Sequence, residues 1–481
     1  MRISVLVLIV ATTLVAVSCQ KKSEIKLGEL PVTPSTGTRL DLLKDSVYLY
    51  SKEVYLWSEV ITPYAAFNPR GYSGSTEIKS AQQVIDGIRA LQPLDRFSFV
   101  TTQAESAGLQ TGEDKDYGFF IKAAAVDKAL PYDSVYWFVT YVYANSSAGS
   151  AGVQRGWIIN AINGSQIDYS NNSIQLLNNT FFGTATTASF QFIKPDGTVA
   201  GPLNLSKSSF VANAVLHRSV LTSGAKKVGY LVFNQFFGLP ARKELGEAFT
   251  YLQAQGINEL VVDLRYNPGG STQTQDTLAN LIAPVSANGK TMYKYIYNST
   301  LQQNKHQLIR KKLGYGDFFK ESNNTQVFKK AGNLNLTRAF FIVTGSSASA
   351  SELLINNLKP YMDVKVLGDT SYGKPVGFFP IPIYEYAIYP ISFKTVNSVG
   401  NADYYNGFAP DALTPDGVNK AWGDPAEPSL GTALKYITTG TFRLTNFSND
   451  DTQMRINSAQ LLEPSQRKLE SRKFSGMFQE R

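Results

Sequence analysis

Apolar positions near the start of the chain recur in steps of three and four. Leu43, Val47, Tyr50, Val54 and Trp57 fall on one stripe, as an amphipathic helix requires. A second helix is expected from Ser80, with Gln83 placed for a capping box and Val84, Ile85, Ile88 and Leu91 on its buried face. Beyond residue 115 the period shortens, and Trp137 to Tyr143 and Ser189 to Ile193 read as strands. Between them the pattern predicts a short helix around Ala151, a turn at Arg155-Gly156, a strand from Trp157 to Ile162 and a tight turn at Asn163-Gly164. From residue 225 strands and helices alternate. Val228 to Phe233 is a strand, and residues 240–255 form a helix with Leu245, Ala248, Phe249 and Leu252 on one face and Gly256 as its stop. Glu259 to Arg265 is the next strand, followed by a helix near Thr277 to Ile282. A strand at Ala339 to Thr344, a helix at Glu352 to Leu358 and a strand at Val364 to Leu367 complete the run. Strand, helix, strand implies right-handed parallel crossovers and an α/β layering.

The extreme N-terminus has a different pattern. One Arg precedes an apolar run from Val5 to Val17, too short to span a bilayer comfortably but suited to a secretory signal. Cys19, directly after Ala16-Val17-Ser18, is the single cysteine of the chain, so no internal disulfide is possible. The segment resembles a bacterial lipobox, although Ala16 stands where Leu is commoner. The resemblance implies a signal peptide over residues 1–18, a lipidated tether over 19–37 and a membrane anchor through acyl chains on Cys19. A bacterial cell-envelope location follows as an expectation, periplasmic or surface-exposed.

With 481 residues, 43% hydrophobic and 17% charged, the chain has material for about three globular domains. Part of the net charge of +8 lies in a basic tail, residues 441–481. The other basic residues are dispersed and no nucleic-acid motif is present. Only two histidines occur, His217 and His306, and no zinc motif, cysteine cluster or phosphate-binding loop. Nothing calls for a metal or a cofactor.

Three segments remain as sources of chemistry. Asp263-Leu264-Arg265-Tyr266-Asn267-Pro268-Gly269-Gly270 ends a hydrophobic strand with two glycines, which let a backbone approach a ligand or form a plain turn. Gly345-Ser346-Ser347-Ala348-Ser349-Ala350-Ser351-Glu352 joins a strand to a helix, as an anion-favouring helix start or a Ser-rich cap. Ser371-Tyr372-Gly373-Lys374-Pro375-Val376-Gly377 holds a lysine between Gly and Pro. Taken together and in this order, they resemble the C-terminal processing (tail-specific) peptidase family. The likeness extends over roughly residues 95–430, including Asp95-Arg96-Phe97-Ser98 and Asn406-Gly407-Phe408-Ala409-Pro410-Asp411.

That resemblance implies an α/β multidomain protein. It would have an N-terminal helical domain (38–110), a PDZ-like β-rich domain (111–210) and a crotonase-like sheet-and-helix peptidase core (211–440). The family's nucleophile falls on Ser349 and its lysine on Lys374, twenty-five residues later. Glu352 corresponds to an acidic residue near that site, and Gly269 or Gly270 with the Ala350 N–H would form the oxyanion hole. The chemistry agrees: a serine needs a base, and lysine serves when burial keeps it neutral. Where the family often has Gln four residues after the lysine, this chain has Phe378, which leaves the group that orients Lys374 unassigned. Tyr117-Gly118-Phe119-Phe120 alone reads as an ordinary turn with a Gly, but with Ser146 to Ile167, which resembles the later part of a PDZ domain, it matches that domain's carboxylate-binding loop, with apolar Phe119 and Phe120 expected to favour apolar terminal side chains. The implied activity is a serine endopeptidase that cuts polypeptides near their C-termini by a Ser/Lys dyad, with the PDZ-like domain recognising the free C-terminal tail of the protein or peptide substrate. A non-catalytic envelope peptide-binding protein and a Ser/Lys acyl hydrolase are the alternatives.

Overall fold

The computed structural model describes residues 34, 36–125, 135–442 and 476–479. Cys19, the signal segment and most of the basic tail lie outside the described residues. Among the described residues no helix is long and apolar enough to cross a membrane.

A six-stranded sheet organises the second half of the chain. Its order is Val215–Ser223, Lys226–Phe233, Glu259–Asp263, Arg338–Val343, Asp363–Gly368 and Ala412–Leu413. The first pair is antiparallel and the rest are parallel, with Val261 opposite Phe340 and Phe340 opposite Lys365. Parallel strands are covered on both faces, which is why their apolar runs are nearly continuous. Leu231, Phe233, Leu260, Val262, Phe341 and Val343 pack under the helices Gly238–Ala254, Thr272–Ile282 and Ala350–Leu358. The alternate residues Val228, Tyr230, Val232, Val261, Phe340 and Ile342 pack on Leu430, Ala433, Leu434 and Ile437 of helix Pro428–Thr439. Each flanking helix therefore seals one face, and the loops at the strands' C-terminal ends are left to build the site.

The N-terminal helices depart from the expected bounds. Arg39–Val54 starts from a Thr38/Asp41 capping box and ends before Trp57. The second helix is Glu77–Arg89, because Thr76 supplies the cap to the Lys79 N–H; Ser80 lies inside the helix and returns its hydroxyl to the Thr76 carbonyl at 3.0 Å. Gln83 therefore forms no capping box there, and Leu91 lies beyond the helix end. Leu43, Val47, Val54, Ile85 and Ile88 belong to the same continuous core as Leu231 and Leu353.

Residues 113–211 contain a sheet whose described strand pairs are all antiparallel, with its own core of Phe119, Trp137, Ile159, Leu177, Phe190 and Phe192. Asn163 and Gly164 have φ of 50° and 81°, the turn that two positive φ values favour. Strand Phe119–Ala125 lies at one edge and pairs with Val135–Val142. Arg155 ties this unit to the main sheet. Its buried guanidinium donates to the Thr140, Gly417 and Lys420 carbonyls, to Tyr266 Oη and to Asp416, and it lies 3.9 Å from the Trp422 ring centre. Arg265 beside it is bound by Asp263, Asp416 and Glu427. Burial works against ionising Asp416, yet Arg265, Lys122 and Arg155 hold its carboxyl well below the usual range.

Candidate active site

Ser349 sits where strand Arg338–Val343 turns into helix Ala350–Leu358. The turn is fixed from both sides: Ser347 donates to the Leu264 carbonyl at 2.7 Å, and the Asn267 carbonyl accepts from the Ala348 N–H and Ser351 Oγ at 3.1 Å each. This bracing holds Ser349 at φ 60° and ψ −106°, a conformation that costs a non-glycine residue about 1–3 kcal/mol. The side chain is buried, and its Oγ has no hydrogen-bond partner among the described residues. Ala350 opens the helix, where an N–H has no intrahelical acceptor.

Glu352, one turn into that helix, connects the serine to the lysine. Its Oε2 accepts the Ser349 N–H and the Lys374 N–H, each at 2.8 Å. Its Oε1 accepts Ser371 Oγ at 2.6 Å and the Gly373 N–H at 2.7 Å. Burial raises the carboxyl's pKa, and these four donors draw it back. Both Glu352 oxygens are taken up by backbone N–H groups and Ser371 Oγ, and neither bonds the Ser349 hydroxyl. Gly373 is required for the tight path before the lysine. At φ 89° a Cβ there would lie 2.2 Å from the Tyr405 carbonyl oxygen.

Lys374 is fully buried, and its amine is lowered from 10.5 to about 7. Burial drives the shift, opposed by the charges of Asp95 and Glu352. The Nζ lies 4.3 Å from the Phe378 ring centre and 4.8 Å from that of Phe97. The departure at Phe378 thus places an aromatic face against the amine. Asp95 sets the second ring in place by accepting the Phe97 and Ser98 N–H groups at 2.9 Å, and it also binds Tyr55 Oη and Ser98 Oγ. The Asp95 to Ser98 motif is visible in the sequence, but this role is not. The role depends on a contact across nearly three hundred residues.

The two glycines lie in strand Gly269–Ser271, against the serine. A Cβ on Gly269 would meet Ser349 Cβ at 3.0 Å and the Gly476 carbonyl oxygen at 2.6 Å. The Gly269 N–H donates to Asn267 Oδ1 at 2.9 Å, so it is not a ready oxyanion donor. The Gly269 carbonyl and the Ser271 N–H bond to Phe236. Strand alternation therefore turns the Gly270 N–H to the opposite edge.

The expected carboxylate loop is only partly available. Tyr117 and Phe119 are buried in the β-rich unit's core against Phe181 and Phe190, so Phe119 cannot read a ligand side chain. The Gly118 N–H is bound by Asp116, and its carbonyl accepts the Tyr143 N–H at 2.8 Å. Phe120 is half-buried and stacks on Tyr141 at 4.8 Å. Neither histidine takes part: His306 bonds the Tyr315 carbonyl and His217 packs on Tyr230.

A buried serine and a buried lysine are thus joined through one carboxylate on a sheet-and-helix core. Residues 227–413 match peptidase family S41. A protein of Staphylococcus aureus (strain bovine RF122 / ET3-1) named "Probable CtpA-like serine protease" is 24% identical over 320 residues, 65% of this chain and 55% of that protein. The Staphylococcus epidermidis protein of the same name is also 24% identical over 320 residues, covering 65% of this chain and 56% of the relative. The chain therefore spans about half the length of these relatives. The crystal structure of a "Putative S41 protease" from Bacteroides fragilis NCTC 9343 superposes with a TM-score of 0.61 at 22% identity, covering 82% of this chain and 97% of that one. That likeness establishes a shared mixed α/β fold.

Proposed function

We propose that the chain is a serine endopeptidase in which Ser349 is the nucleophile and Lys374 its general base. The observation that carries this reading is the Glu352 carboxylate, whose Oε2 accepts both the Ser349 and the Lys374 backbone N–H. A lysine near 7 supplies a neutral amine at ordinary pH. Lys374 takes the Ser349 proton as Oγ adds to the scissile carbonyl. The oxyanion is met by the Ala350 N–H at the helix start and the Gly270 N–H. The lysine then protonates the leaving amine, and water hydrolyses the acyl-enzyme, restoring the hydroxyl.

Polypeptide substrates with free C-termini fit the β-rich unit as a PDZ-like module. Among the described residues its Phe119–Ala125 strand is the last on one side of the sheet, an edge to which an extended peptide can add. Recognition there rests on backbone pairing, since Phe119 is in the core. Cys19 is the proposed lipid anchor to a bacterial envelope membrane, and a mature N-terminus other than acylated Cys19 by mass spectrometry would reject it.

The test of the activity is cleavage of an unfolded polypeptide such as casein by the wild type and by Ser349→Ala. Loss of roughly six orders of magnitude in kcat is expected for a nucleophile. Equal turnover would remove Ser349 from the mechanism. A parallel comparison of one synthetic substrate with a free or an amidated C-terminus should show slower cleavage of the amide. Equal rates would leave a peptidase without tail reading.

A further inference from the structure

One short strand near the end of the sequence has no place in either large sheet. Gly476–Phe478 runs parallel to the Gly269–Ser271 strand, with Gly269 opposite Gly476, Gly270 opposite Met477 and Ser271 opposite Phe478. Its other edge meets the chain just after the lysine. The Phe378 N–H donates to the Met477 carbonyl at 3.0 Å, and the Gln479 N–H donates to the Phe378 carbonyl at 3.1 Å. The segment is thus an extended strand held between the two site segments that flank Ser349 and Lys374. The Gly476 N–H donates to the Pro268 carbonyl at 3.0 Å, which puts the segment on the same edge as the Gly270 N–H. The Gly476 carbonyl and Ser349 Cβ press on the same face of Gly269. Met477 and Phe478 are fully or almost fully buried, Phe478 stacks with Phe237, and Gln479 accepts a bond from Tyr297 at 2.7 Å.

A polypeptide cut by Ser349 must lie extended beside the serine, with its backbone paired and its scissile carbonyl turned to the oxyanion donors. The 476–479 segment meets the same backbone groups in the same place. We propose that it is an internal occupant of the substrate groove, which another polypeptide must displace before it can be cleaved. The inference rests on the assignment of Ser349 above. It also deepens that assignment, because it gives the groove's direction, parallel to Gly269–Ser271, and its taste for apolar side chains at the Met477 and Phe478 positions. A covalently attached occupant competes at an effective concentration near the millimolar range, so closure of on the order of tenfold or more is expected.

The test uses the whole chain with Met477→Asp and Phe478→Asp, which the apolar groove cannot hold. A fluorescent peptide of residues 475–481 is titrated by anisotropy into this form and into the unaltered tail, both carrying Ser349→Ala so that binding is read without turnover. The opened form should bind the peptide at least about tenfold more tightly. With Ser349 restored it should cleave casein faster, and added peptide should suppress that gain. Equal, weak binding by both forms would overturn the proposal and make the segment an ordinary structural strand. A chain ending at residue 475 serves if the double variant fails to fold; a structural strand predicts that this shortening lowers Tm without creating a peptide site. Tight peptide binding by the opened form with no casein cleavage by any form would support the occupant while removing the peptidase reading.

Discussion

Lys374→Met isolates what a buried amine costs this fold. Methionine matches the length of lysine and lacks the ionisable group. Lys374 is fully buried, and its amine is lowered by burial from 10.5 to about 7. Between those values the unfolded chain binds one more proton than the folded chain, so wild-type stability rises with pH through the window. Each pH unit is worth about 1.4 kcal/mol. Relative to Lys374→Met, the wild type should be less stable by about 4–5 kcal/mol near pH 6.5 and should recover most of that near pH 10. Urea unfolding followed by tryptophan fluorescence at matched pH measures the quantity, and the difference between the two proteins cancels the other titrating groups. A difference that stays flat with pH would mean that the amine remains charged in the folded site. The assignment of Lys374 as proton acceptor would then fail as well.

Activity should rise with pH through about 7 as the Lys374 amine loses its proton, and Lys374→Arg should be inactive at every pH because guanidinium stays protonated; an active Arg variant in a casein assay would refute the base assignment. Glu352→Gln should lower stability by about 2–4 kcal/mol, since an amide cannot accept all four donors that meet the carboxylate. Its kcat should fall more than KM changes, because the alignment of serine and lysine is lost rather than a substrate contact, and an unchanged kcat would show that Glu352 does not position them.

The alternation of strands and helices was legible because both faces of a parallel sheet are covered, which leaves unbroken apolar runs at Val228–Phe233 and Ala339–Val343. The three site segments were legible because each needs small or conformationally special residues at fixed places, as Gly373 against Tyr405 shows. Phe119 was misread because an apolar residue beside a loop glycine looks the same whether it faces a ligand or its own core; only the packing of Phe181 and Phe190 separates the two. The start of the second helix was misplaced because Thr76 and Ser80 are equally good caps in sequence, and the chain uses the earlier one. Phe97 against Lys374, and Met477 opposite Gly270, were beyond reach because they depend on pairings between distant parts of the chain.

The continuous core beneath the N-terminal helices limits how this protein can be divided. Asp95 binds Tyr55 from one side and sets Phe97 against the lysine from the other, and Asn298 donates to the Glu53 and Tyr55 carbonyls. A fragment cut to the boundaries of residues 227–413 would keep the serine and the lysine. It would lose the ring and the carboxylate that wall the amine on one side, and water would enter there. The amine would return toward its ordinary basicity. The smallest unit that can hold Lys374 neutral is therefore larger than the stretch that bears the family signature, and its lower limit is set by the helix that begins at Arg39.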